Sequence, residues 1–255
     1  MPDPTFHLVS MRPRGDHAGL RRAAARHGGR VLALSPWRIE ARSDEATRQA
    51  LEAALRCPTV VFTSPAAVAA ASALRPLSPR AGQQLAAVGA GTRRGLQRTG
   101  SDAVAPARMD SEGVLDLPSI TGLAAGDRVG IVTAPGGRGA IAQALRARGI
   151  EVVRADVYAR VPMPFRADAL ARLDAALASR APTFIALSSG EAFARVLDGL
   201  APARLAALRA STCIAASERL AGQARDAGFV QVRMAASAQP QDLVAGIVAA
   251  LSAPG

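Results

Sequence analysis

Apolar residues in this chain fall into two alternating kinds of run. Short blocks such as Phe6 to Ser10, Thr59 to Phe62, Val129 to Val132 and Thr183 to Leu187 have the pattern of strands buried on both faces. Between them, apolar residues recur at helical spacing, as Ile141 and Leu145 do, and the segments stop at glycines such as Gly28, Gly100, Gly149 and Gly228. The pattern predicts strands around 6–10, 30–34, 59–63, 85–88, 102–105, 128–133, 151–157, 183–187, 211–216 and 229–234. Helices separate most of them, the alternation of parallel α/β layers.

Two stretches break the rhythm. Pro36 to Arg42 and Ala155 to Pro162 are extended, alternate in polarity and carry the only Trp and Tyr, Trp37 and Tyr158. They are expected to be connectors between two lobes. The expected division is a discontinuous α/β domain from 1–36 plus 164–255, linker strands at 37–43 and 155–163, and a second α/β domain at 44–154.

A constant offset runs through the chain. Gly15 and Gly139 stand in equivalent strand–turn–helix units 124 positions apart, and Thr59 to Leu74 and Thr183 to Leu200 repeat a strand, a hydroxyl-rich turn and a helix at the same offset of 124. Leu85 to Gly89 matches Cys213 to Ser217, and Ser111 to Leu115 matches the segment from Pro240 to Gly246. Matched segments at a nearly fixed shift point to an internal duplication. The expected fold class is therefore α/β, with two parallel-sheet domains of flavodoxin or Rossmann type joined by a two-stranded linker.

Composition narrows the function classes. With 255 residues, 49% of them hydrophobic, the chain can fill two modest cores. The longest uncharged stretch, Cys57 to Leu74, holds Pro58 and Pro65 and reads as strand, turn and helix, so no membrane span is expected. The N-terminus lacks a basic start followed by an apolar stretch, so a cytoplasmic location is expected. Cys57 and Cys213 then read as reduced core residues, and His7, His17 and His27 have no ligand partners at metal-binding spacing. No metal is expected.

The formal charge of +11 comes entirely from arginine and is scattered; with aromatics at 3%, the clustered charge and stacking residues of a nucleic-acid binder are missing. The arginines fit either a solvated surface or the gripping of a multiply anionic small molecule. Ligands of open parallel sheets bind beyond the carboxyl ends of the strands. The turns there carry Ser64-Pro65, Gly89-Ala90-Gly91-Thr92, Ser111, Pro135-Gly136-Gly137, Ser188-Ser189-Gly190 and Ser217. Two such rims facing each other would make a cleft lined by N–H and O–H donors. Arg12 and Arg138 sit in turns, where capping and carboxylate binding are both open. Glu112, Glu191 and Glu218 open helices beside serines and read as capping residues. Ser64, Ser188 and Ser189 have no histidine in a hydrolase pattern.

On the residues alone, other readings stand. Gly137-Arg138-Gly139-Ala140-Ile141-Ala142 fits G-x-G-x-x-A after a strand, with Asp156 downstream, which would suit an NAD(P)-dependent oxidoreductase. A non-catalytic two-lobed anion-binding module would fit as well.

Taken in order, Arg12-Pro13, Phe62 to Val68, Val88 to Thr92, Ser111 to Pro118, Gly136 to Arg138 with Arg148-Gly149, Val157 to Arg160, Ser188 to Glu191 and Ser217 to Leu220 resemble the motifs of the uroporphyrinogen-III synthase family across almost the whole chain. The resemblance implies two α/β domains on a pair of connecting strands and no cofactor. It also implies a lyase that closes hydroxymethylbilane, a linear tetrapyrrole with eight carboxylates, while inverting its terminal ring and releasing water. Tyr158 takes the position of the family's catalytic tyrosine. Arg12, Ser64, Gly89, Thr92, Ser111, Gly136, Gly137, Arg138, Ser188, Ser189 and Ser217 take substrate-binding positions. Met11 stands where a hydroxyl residue is common, and Ser217 where some members have threonine. The expected partner is the polycarboxylate substrate, with neither nucleic acid nor membrane. The protein is expected to be a monomer that meets the preceding pathway enzyme transiently.

Overall fold

A computed structural model describes residues 3–108, 111–136 and 139–252. In chain order the first elements are β1 (Phe6–Ser10), α1 (Ala18–Ala25), β2 (Gly29–Ala33), β3 (Trp37–Ala41) and α2 (Glu45–Leu55). Next come β4 (Thr59–Phe62), α3 (Pro65–Leu74), β5 (Gln84–Ala87), α4 (Ala90–Arg98), α5 (Ser111–Leu115), α6 (Pro118–Thr121), β6 (Arg128–Thr133), α7 (Ala140–Ala147) and β7 (Glu151–Asp156). The chain ends with β8 (Tyr158–Pro162), α8 (Ala167–Leu177), β9 (Thr183–Leu187), α9 (Gly190–Asp198), α10 (Pro202–Arg209), β10 (Thr212–Ala215), α11 (Glu218–Asp226), β11 (Val232–Met234) and α12 (Pro240–Ser252).

Contacts divide the chain into two compact units, Met1–Arg38 with Val161–Gly255, and Ile39–Arg160. The first holds a parallel sheet in the order β11-β10-β9-β1-β2. Every residue of β1 and β9 is buried, because helices cover both faces. Phe6 and Leu8, with Phe184, Ala186 and Ile214, pack against Leu20 of α1 and Leu243, Val244 and Ile247 of α12.

The second unit holds a parallel sheet in the order β5-β4-β6-β7. On one face Val60, Phe62, Val132 and Ala155 meet Leu51 and Ala54 of α2, Val68 of α3 and Leu96 of α4. On the other, Val61, Val129 and Ile131 meet Val114, Ile120, Ile141 and Leu145. Gly130 lets α2 lie directly on β6; a Cβ there would come within 2.1 Å of the Ala54 carbonyl oxygen. At Gly149, φ is +75°, and the left-handed turn ends α7 where the spacing predicted.

The chain passes between the units through β3 and β8, which pair as a two-stranded sheet. Arg42 N–H donates to the Val157 carbonyl at 2.9 Å and Met163 N–H to the Pro36 carbonyl at 3.1 Å, an antiparallel register.

Two expected strands shrink. Around 102–105 only Val104 pairs, bridging to Ala86, before Pro106 removes the next donor. In 229–234, Phe229 N–H closes the end of α11 on the Ala224 carbonyl, so pairing starts only at Val232. With Val104 counted, both sheets have one spatial plan. β4, β5 and Val104 run outward one way and β6 and β7 the other, as β9, β10 and β11 and then β1 and β2 do.

Cys57 and Cys213 are free and buried, and burial pushes the Cys213 thiol up to about 12. Among the described residues, no helix is long and apolar enough to cross a membrane, and no group of three metal-type side chains converges.

Candidate functional site

In an open parallel sheet the ligand crevice forms where adjacent strands send their connections to opposite sides. In the second unit that point lies between β4 and β6, whose exits are Thr63-Ser64 and Thr133-Ala134. Ser64 accepts the Ala67 N–H at 3.1 Å and so caps α3, with Pro65 at the first helical position. The same hydroxyl lies 3.1 Å from the Tyr158 hydroxyl. Tyr158 opens β8, is 2% exposed and packs its ring in the α2–α3 face of the core. Two of the expected site residues thus meet directly, 94 positions apart in the chain.

A second hydroxyl pair sits beside the first. Thr63 donates its hydroxyl to Thr133 Oγ1 at 2.8 Å and its N–H to the Val132 carbonyl at 3.1 Å. Arg154 holds the next residue, donating to the Ala134 carbonyl at 2.7 Å and to Asp156 Oδ1 at 2.9 Å. One strand outward, Gly89 is the N-cap of α4 without a side-chain cap, and Thr92 is buried in that helix's first turn. Ser111 opens α5, and Gly136 is exposed at φ +82°. Gly137 and Arg138 lie outside the described residues.

In the first unit the corresponding point lies between β1 and β9. Arg12 follows β1 and donates to Asp16 at 3.3 Å and to the Ala238 carbonyl at 3.0 Å, so its guanidinium ties this turn to the start of α12. Ser188 is half-buried after β9; Ser189 caps α9 by accepting the Ala192 N–H at 3.3 Å, and Ser217 caps α11 by accepting the Leu220 N–H at 3.4 Å. Glu218 pairs with Arg225 at 2.9 Å, and Glu112 with Arg108 at 3.6 Å. His17 bridges two buried or part-buried hydroxyls, Nδ1 at 2.9 Å from Ser10 Oγ and Nε2 at 2.8 Å from Ser35 Oγ. Burial, and after it the charge of Arg21, lowers the His17 pKa to about 4, so the ring is neutral.

The family model described as uroporphyrinogen-III synthase HemD matches residues 19–245. The chain belongs to the uroporphyrinogen-III synthase family. Its members are enzymes of porphyrin biosynthesis, and that function, rather than the oxidoreductase or binding-module alternatives, is the one supported here. A mutant uroporphyrinogen III synthase from the extremely thermophilic bacterium Thermus thermophilus is 17% identical, with 96% of this chain and 98% of that one covered and a TM-score of 0.62. Uroporphyrinogen-III synthetase from Helicobacter pylori is 14% identical, with 97% and 98% covered and a TM-score of 0.58. Both likenesses establish the two-domain α/β fold. A search of curated proteins returns no match.

Asp156, the acid that would have read a ribose in the dinucleotide alternative, is engaged by Arg154. Thr63, Thr133, Arg154 and His17 escaped the sequence reading. Thr133, Ala134 and Ser35 meet their partners only through the fold, and the sheet register puts Thr133 level with Asp156 and beside Thr63.

Proposed function

We propose that this member of the family closes hydroxymethylbilane to the macrocycle with inversion of the terminal ring and loss of water, as a cofactor-independent lyase, and that Tyr158 assists the departure of the hydroxyl. The observation that carries the reading is the Ser64–Tyr158 hydroxyl pair at the switch point of the second sheet. A phenol is protonated at neutral pH and can serve as a general acid. Because Tyr158 is 2% exposed and Ser64 only half-buried, the proton travels from Tyr158 through the Ser64 hydroxyl to the leaving oxygen. Water leaves, the exocyclic methylene carbon of the azafulvene so formed is attacked by the substituted α-carbon of the terminal ring at the other end of the chain, and the spiro intermediate fragments and recloses. The proton lost on closure restores the pair.

The other expected residues bind carboxylates: Arg12, Ser188, Ser189 and Ser217 on the first unit, and Gly89, Ser111, Gly136, Gly137 and Arg138 on the second, while Thr92, as buried as Tyr158, supports the first turn of α4 from within. Ser189 and Ser217 already accept helix N–H groups, so each offers its own O–H as donor. Most of the rate gain is geometric: holding the two ends of a chain together is worth about 7–11 kcal/mol. The reading extends to a cytoplasmic monomer.

The test is to incubate the protein with enzymatically generated bilane and resolve the products by isomer. The inverted isomer is expected. Tyr158→Phe should stay folded and lose well over half the turnover; full turnover by that variant removes Tyr158 from the mechanism.

A further inference from the structure

Thr133 is the last residue of β6, at the switch point, and is held from three directions. Its carbonyl accepts the Val157 N–H at 3.0 Å, its Oγ1 accepts the Thr63 hydroxyl at 2.8 Å, and the following carbonyl is gripped by Arg154 at 2.7 Å. The strand register sets Asp156 level with Thr133, and Arg154 neutralises that carboxylate at 2.9 Å. The rim here is therefore rigid and does not repel an anion. A hydroxyl carries one proton and two lone pairs. Thr63 occupies a lone pair of Thr133, and among the described residues no acceptor takes the Thr133 proton. Both threonines are half-buried, so neither is sealed off from the rim.

We infer that Thr133 is a substrate-binding residue whose hydroxyl donates to a carboxylate of the tetrapyrrole, and that Thr63 is the positioning residue that fixes its direction. The inference rests on the bilane reading above and adds a contact to it. The interaction exists before and after the chemical step, so it acts on binding rather than on turnover.

The experiment is steady-state cyclisation of bilane by Thr133→Val, Thr133→Ser, Thr63→Val and the double variant, with thermal melts of each. A hydrogen bond to a charged acceptor is worth roughly tenfold or more in affinity. Thr133→Val should raise KM by about tenfold while kcat stays within about twofold, and Thr133→Ser should restore KM. Thr63→Val should raise KM less, and the double variant should be no worse than Thr133→Val, since both remove one directed proton. A role confined to packing would leave KM unmoved in every variant that melts like the wild type. Wild-type KM in a folded, active Thr133→Val protein overturns the inference and leaves the bilane reading intact. Should Thr133→Val prove unstable, an unchanged KM in Thr63→Val overturns it instead. Failure of the wild type to cyclise bilane overturns both.

Discussion

Acidification tests the His17 bridge. The ring lies between Ser10 and Ser35, 3% exposed, and is kept neutral first by burial and then by Arg21, with Arg12 adding to the effect and Asp16 opposing it. Serine hydroxyls can rotate to accept from both ring nitrogens, so protonation keeps the hydrogen bonds and loses hydration instead. The unfolded chain takes up a proton near 6.5 and the folded one only near about 4. Between those values the unfolded state binds more protons, so the stability from neutral His17 is full above 6.5, falls through the window and is gone below about 4. At about 1.4 kcal/mol per unit, moving from pH 7.5 to pH 5 should remove about 2 kcal/mol. His7, lowered by burial and by Arg30, shifts in the same direction. The assay is urea unfolding at both pH values for the wild type and His17→Gln. The carboxylates and His7 are shared by both proteins, so the wild type should lose about 2 kcal/mol more than the variant on acidification. Parallel losses would refute the reasoning, as would a His17 ring that titrates near 6.5 by NMR.

Other predictions follow from close packing and burial. Gly130→Ala places a methyl group 2.1 Å from the Ala54 carbonyl oxygen, so α2 must lift from β6; a loss of about 1–3 kcal/mol or more is expected in thermal unfolding, and a melt unchanged from wild type would contradict that contact. Cys213 is 0% exposed, with its thiol raised to about 12 by burial, so it should resist a thiol reagent at pH 8 and react once the chain is denatured. Labelling of Cys213 in the native protein at the rate of a free thiol would show that β10 is not sealed as described.

The alternation of apolar runs with helical periodicity determined the α/β class, because strands buried on both faces and amphipathic helices leave different spacings in any sequence. The glycine stops and the Ser/Glu helix starts are local, and so Gly149, Ser189 and Ser217 could be placed from the sequence, whereas the capping role of Ser64 came only with the structure. The ordered motifs carried the family, and the repeat carried the shared plan of the two sheets. What the tertiary structure alone decided is which strand ends become neighbours. Thr63 and Thr133 are 70 positions apart, Ser64 and Tyr158 are 94 apart, and the ring of His17 finds Ser35 across a turn. No periodicity encodes such pairs, since they arise from sheet order and register, and these follow from how whole faces bury one another. The contraction of 102–105 to a single bridge has the same origin: the alternation of elements calls for a strand there, while a proline and the edge of the sheet leave it one residue to pair.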